Sequence, residues 1–235
     1  TIVRHLLIHR KVRYCESISY NKGLIMHAGP KIRTSFIILF VTILLSGCAA
    51  QHYKMSNQHS MPELQAEHFI TSDATHLPLQ VWEPTTSPQA QLVLLHGFNE
   101  YSGAFERAGR HFAQHGVKVW AYDQRGFGRT EQAGLWAGGD VMAQDSREFI
   151  QLVAAHNPSI PLFLLGVSMG GAVALRATAQ HPHLPIKGII LEAPGVWARS
   201  TQPFYQRWAL AISRRFLPNW APTGKGLKIR ASDND

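Results

Sequence analysis

Between Gln91 and Pro194 the chain alternates short apolar runs with amphipathic stretches, and this alternation leaves few folds open. "QLVLLHG" (91–97), "VKVWAYD" (117–123), "PLFLLGV" (161–167) and "IKGIILEAP" (186–194) are too short for buried helices and are closed by turn residues. Runs that are apolar at successive positions fit strands covered on both faces. Between them lie "GAFERAGRHFAQHG" (103–116), "VMAQDSREFIQLVAAHNP" (141–158) and "GGAVALRATAQHP" (170–182), each with helical spacing. In the first, Phe105, Ala108, His111, Phe112 and His115 are expected to face inward, and Gly116 stops the helix. In the second, Met142, Phe149, Leu152 and Val153 share one side. Strands regularly followed by helices predict a mainly parallel sheet with crossovers on both faces. Upstream, "EHFITS" (67–72) and "LPLQVWEP" (77–84) read as two more strands, turning near Asp73.

The totals narrow the function classes. A chain of 235 residues, 45% hydrophobic and 16% charged, can bury a real core. Its formal charge of +8 is unevenly placed. Residues 1–47 hold seven Lys/Arg and one acid, leaving sixteen bases and fourteen acids in the remainder. A nearly neutral body has no basic stripe to neutralise phosphates, which excludes a nucleic-acid partner. Two cysteines cannot build a disulfide framework. No His/Cys/Asp group has metal-ligand spacing and no glycine-rich phosphate loop follows a strand, so neither metal nor cofactor is expected.

The front of the chain reads as an address. In "KIRTSFIILFVTILLSGC", Lys31 and Arg33 precede an apolar run from Phe36 to Leu45 that is too short to span a bilayer. Charge order and length fit a secretory signal. Leu45-Ser46-Gly47-Cys48 resembles the lipobox of bacterial lipoproteins. That resemblance implies cleavage before Cys48, lipid attachment at its thiol, and a place in the bacterial cell envelope. Ala49 and Ala50 follow with no aspartate, which by the same resemblance to lipoproteins of two-membrane bacteria implies the outer membrane. Met26 makes a natural start for such a signal. The expected organisation is an upstream or misread leader (1–25), a signal peptide (26–47), an anchor and polar tether (48–65), the N-terminal part of a folded core (66–194) and the start of a cap over it (195–235).

One serine sits where a strand gives way to a helix. Gly166-Val167-Ser168-Met169-Gly170 fits G-x-S-x-G in the context that gives the pattern meaning, a buried strand followed by a helix of small residues. A nucleophile at the tip of so sharp a turn crowds the backbone two places away, which is why those places are glycines. The helix aims its positive end at the site, and the Met169 N–H points where an oxyanion would form. After the strand "LVLLHG" the loop His96-Gly97-Phe98-Asn99-Glu100 offers a second donor, the Phe98 N–H. His96, directly before that loop, is read as its orienting residue and not as a general base.

"LVLLHGFNEYSGAF", "VWAYDQRGFGRT", "LFLLGVSMGGAVAL" and "GIILEAPGVW" together resemble the α/β-hydrolase fold. Their order and spacing are similar to its monoacylglycerol lipase/lysophospholipase branch, which is grouped with serine aminopeptidases. The resemblance implies Ser168 as nucleophile, Phe98 and Met169 amides as oxyanion hole, and a lipid or ester as small-molecule substrate. It also implies that Asp123 and Arg125 brace the turn after their strand by ion pairing. The family's acid follows a later strand and its histidine lies near the C-terminal end. Here "TQPFYQRWALAISRRFLPNWAP" reads as a cap helix, with Phe204, Trp208, Ile212 and Phe216 on one face, and all thirteen histidines lie at or before His183. Asp233 and Asp235 fall where the family is still in its cap. The chain is therefore expected to be a C-terminally truncated form of a longer enzyme, inactive or nearly so, with an exposed edge at "IKGIILEAP". Two alternatives stay open: an aminopeptidase of the same fold, or a lipid-anchored, non-catalytic binding protein.

Overall fold

The computed structural model describes residues 51–196, 200 and 202–217. Cys48, the segments 1–25 and 26–47, Trp197, Asp233 and Asp235 lie outside the described residues. Among the described residues seven strands form one sheet: β1 (Glu63–Leu64), β2 (His68–Ile70), β3 (His76–Trp82), β4 (Ala90–Leu95), β5 (Val117–Tyr122), β6 (Leu162–Val167) and β7 (Gly188–Glu192). Their spatial order is β1-β2-β3-β5-β4-β6-β7. Pairing is antiparallel from β1 through β3 to β5, and parallel from β5 through β4 and β6 to β7. Among the described residues four α-helices follow in chain order, α1 (Glu106–Gln114), α2 (Gly139–His156), α3 (Met169–Gln180) and α4 (Phe204–Phe216), and a short 3-10 turn (Ser102–Phe105) precedes α1. The expected alternation of strand and helix is present.

The apolar character of the central strands has a direct cause. Successive side chains of a strand point to opposite faces. Leu92 and Leu94 join Val119, Ala121 and Trp82 in a core under α1. Val93 and Leu95 join Trp120, Tyr122 and residues of α2 and α3 in a larger core on the other face. That larger core is anchored by Phe149, whose ring centroid lies 5.1 Å from Phe69 and 4.8 Å from Tyr122. Met142, Phe149 and Val153 of α2 are buried as the spacing required, with Leu152 half-buried.

Two local expectations change. On α1 the buried residues are Gly109 and Ala113, with Phe105 and Phe112 packed beside them, whereas Ala108, His111 and His115 are exposed. Gly109 sits against the face of Trp82, where a Cβ would collide with the indole ring. The buried face is thus rotated by one residue, because a missing side chain lets the large Trp82 in. The polar stretch 51–64 is pinned to the body. Lys54 and the Gln132 side-chain amide exchange two hydrogen bonds of 2.8 Å, the Ser60 N–H donates to the Ser72 carbonyl (2.9 Å), and β1 pairs with β2. On α4 the stripe of Phe204, Trp208, Ile212 and Phe216 is exposed and packs into neither core. β7 forms one edge of the sheet, with Ile189, Ile190 and Leu191 between 38% and 48% exposed.

Gly109 sets two effects against each other. Alanine gains about 1 kcal/mol of helix propensity over glycine, while overpacking against Trp82 costs about 1–3 kcal/mol. The clash prevails, so Gly109→Ala is predicted to lower the urea unfolding midpoint; a raised midpoint contradicts this packing.

Candidate active site

Ser168 lies between β6 and α3 with φ +50° and ψ −111°, a backbone conformation that L side chains rarely adopt. Both flanking glycines are required by contact. A Cβ on Gly166 would lie 2.5 Å from the Gly170 carbonyl oxygen, and one on Gly170 would fall on the Leu95 carbonyl. Two bonds pin the turn to the exit of β7: the Ser168 N–H donates to the Glu192 carbonyl (2.9 Å), and the Gly195 N–H donates to the Ser168 carbonyl (2.7 Å).

Position 168 is the N-cap of α3, where a serine ordinarily turns its hydroxyl onto the first free amides of the helix. Here the side chain makes no capping bond and is exposed. The positive φ swings it away from the helix, so the hydroxyl remains available to a ligand.

Two amides are available beside it. Among the described residues neither the Phe98 N–H nor the Met169 N–H donates a hydrogen bond. Met169 is the first residue of α3, so its amide has no partner within the helix. In the β4 loop Glu100 accepts from the Gly97 N–H (2.8 Å), while the Phe98 N–H that follows it has no partner among the described residues. This loop touches the serine turn, since a Cβ on Gly97 would lie 3.6 Å from the Ser168 Cβ.

His96 holds that loop and has no capacity left for proton transfer. The Gln124 N–H donates to its Nε2 (2.9 Å), so Nε2 carries no proton and Nδ1–H donates to the Gly97 carbonyl (2.8 Å). The Gln124 side-chain amide closes the ring of bonds on the His96 carbonyl (2.8 Å). Burial pushes the imidazole pKa below its ordinary value near 6.5.

Asp123 and Arg125 do form ion pairs, though not with each other. Asp123 Oδ1 accepts from the Ser102 N–H (2.8 Å) and hydroxyl (2.5 Å), and its Oδ2 accepts from the Arg129 N–H (2.9 Å). Burial raises this carboxyl, but the bonds from Ser102 and Arg129 outweigh it and leave the group below its ordinary range. Arg125 lies fully buried and reaches two carboxylates. It grips Asp145 through Nε (2.7 Å) and Nη2 (2.9 Å), and Asp73 through Nη1 (2.7 Å) and Nη2 (2.6 Å). The result ties the β5 loop to α2 and to the β2–β3 turn. Ser102, Asp73, Asp145 and Gln124 were not singled out by sequence, because each acts through a partner distant in the chain, and Glu100 was not because its partner is the backbone amide of Gly97.

Ser168, Met169, Ala172, Val173 and Trp136 line a cleft of about 710 Å³, with Arg176 as its charged wall residue. The family model described as serine aminopeptidase, S33, matches residues 86–235. The chain belongs to this family. A monoglyceride lipase of Homo sapiens is 30% identical over 168 residues, covering 68% of this chain and 53% of that protein. A soluble variant of monoglyceride lipase from Saccharomyces cerevisiae, solved in complex with a substrate analog, is 29% identical with a TM-score of 0.51. The match covers 70% of this chain and 54% of that one. The α/β hydrolase GrgF from Penicillium sp. sh18, at 22% identity and a TM-score of 0.52, covers 66% of this chain and 55% of that one and shares the fold. The chain spans about half the length of the curated relatives it matches. The fold is that of the α/β hydrolases, as the sequence motifs implied.

In this S33 member the neutral state of His96 makes a signed prediction. The unfolded chain takes up a proton near pH 6.5, the folded imidazole only at lower pH, so stability held above pH 6.5 is lost as the pH falls. The stability advantage of the native protein over His96→Asn is expected to shrink between about pH 7.5 and about pH 5 in urea titrations. An advantage that does not change with pH contradicts the tautomer.

Proposed function

We propose that the protein is an envelope-anchored serine hydrolase that cleaves carboxylic esters of monoacylglycerol-like or lysophospholipid-like amphiphiles. The observation that carries this reading is an uncapped, exposed Ser168 hydroxyl, raised on a positive φ beside the open amides of Phe98 and Met169. A substrate ester lies in the apolar cleft with its carbonyl carbon against Ser168 Oγ. Oγ bonds to that carbon while its proton passes to a general base, and the carbonyl oxygen becomes an oxyanion held by the two amides. Each such donor contributes roughly 3 kcal/mol to the transition state. Collapse expels the alcohol with the proton returned from the base, and water then releases the acid from the acyl-enzyme.

His96 is not that base, since both its nitrogens are engaged in the loop. In this reading the base and its acid partner come with the part of the relatives' length that this chain does not span. A serine hydroxyl is a weak nucleophile until such a base takes its proton. The names of the relatives, two of them monoglyceride lipases, support ester chemistry. An aminopeptidase needs an acidic anchor for the substrate amine, and residues 195–217 contain no Asp or Glu.

Hydrolysis of short- and long-chain p-nitrophenyl esters by the whole protein tests the assignment. Ser168→Ala is expected to lower kcat by roughly 10⁴–10⁶-fold, and activity that survives the substitution removes Ser168 from the mechanism. The anchor is tested separately. Cys48→Ser is expected to move the protein from the membrane pellet to the soluble fraction, and retention in the pellet rules out lipid attachment there.

A further inference from the structure

We infer that Arg176 selects substrates whose glycerol carries a phosphate, in preference to neutral monoacylglycerols; this rests on the hydrolase reading of Ser168. Met169, Ala172, Val173 and Arg176 lie on one face of α3 and all line the cleft that holds Ser168. The wall is apolar until Arg176, which is its one charged lining residue among the described residues. Eight residues of helix separate Arg176 from Ser168, a rise of about 12 Å. Long helical side chains lean back toward the N-terminus, so the guanidinium returns part of that distance toward the serine.

The guanidinium is held in place with donors to spare. Its Nε (2.8 Å) and Nη2 (2.5 Å) both donate to one oxygen, Oδ1 of Asp140, and Gln180 Nε2 donates to that same oxygen (3.1 Å). Nη1 makes no hydrogen bond among the described residues, and the side chain is 49% exposed. One edge of the fork is therefore held before a ligand arrives, and Nη1 is left without a partner among the described residues.

A glycerophosphate ester likewise carries a charged group at a distance from its reacting carbonyl. About six bonds, roughly 7 Å when extended, separate its acyl carbonyl carbon from phosphorus. With the carbonyl at Ser168, the phosphate oxygens meet the open edge of Arg176 in charge-assisted hydrogen bonds. The hydroxyl of a neutral monoacylglycerol at the same place exchanges one water contact for another and gains little.

Calorimetric titration of the full chain with two non-hydrolysable amphiphiles tests this: the hexyl ether of glycerol phosphate and the hexyl ether of glycerol. The phosphate compound is expected to bind about tenfold more tightly or better, a preference of about 1.4 kcal/mol. Arg176→Gln should bring the two affinities together, and Arg176→Lys should keep part of the preference. Equal affinities in the native chain, a preference untouched by Arg176→Gln, or binding of neither ether overturns the proposal. So does glycerol phosphate without the alkyl chain binding as well as its ether, since the cleft would then play no part. Ethers are not cleaved, so the outcome is independent of turnover. An inactive Ser168 with the preference intact sinks only the hydrolase reading, and an active Ser168 without it sinks only the role of Arg176.

Discussion

The backbone at Ser168 is the constraint on which the site depends. A φ of +50° on a residue with a side chain costs of the order of 1–3 kcal/mol and persists only where the surroundings enforce it. Here they do so from three sides. β6 arrives in register between β4 and β7, α3 departs at once, and the exit of β7 bonds back onto the Ser168 carbonyl. The glycines at 166 and 170 let these backbones meet, since a side chain at either would occupy the space of a carbonyl. The same strain denies Ser168 its usual capping bond and so leaves the hydroxyl exposed.

The second half of the site is held by a different kind of force. The loop after β4 contains no regular structure at Phe98, yet it is fastened from behind by buried hydrogen bonds. His96 and Gln124 exchange bonds between the β4 and β5 loops, and Asp123 clasps the start of the short 3-10 turn at Ser102. Arg125 joins that loop to α2 and the β2–β3 turn through two carboxylates. Removing one partner of such a buried set leaves an uncompensated charge, which is strongly destabilising. The open Phe98 amide is therefore positioned before any ligand binds, the condition under which a dipole stabilises a developing charge most.

What the sequence revealed was local. The G-x-S-x-G turn was legible because its demands act within two residues, and the central strands were legible because burial on both faces leaves them apolar throughout. The face of α1 was misplaced by one step. Gly109 contributes no hydrophobicity to a periodic pattern, yet its lack of a side chain is what seats Trp82. The ion pairs of Arg125 span 20 and 52 residues, so the motif that contains it shows a cation without its partners. The polar composition of 51–64 hid its attachment, which is made largely by backbone groups that every residue has. The stripe on α4 was visible as a stripe, but periodicity does not say what covers it.

The most direct measurement is mass spectrometry of the whole protein after treatment with a fluorophosphonate, which bonds to an activated serine and then mimics the tetrahedral intermediate. A protruding hydroxyl beside two open amides predicts a single adduct, on the peptide that contains Ser168, and none after Ser168→Ala. An adduct on another residue, or no adduct on a protein shown to be folded, contradicts the account.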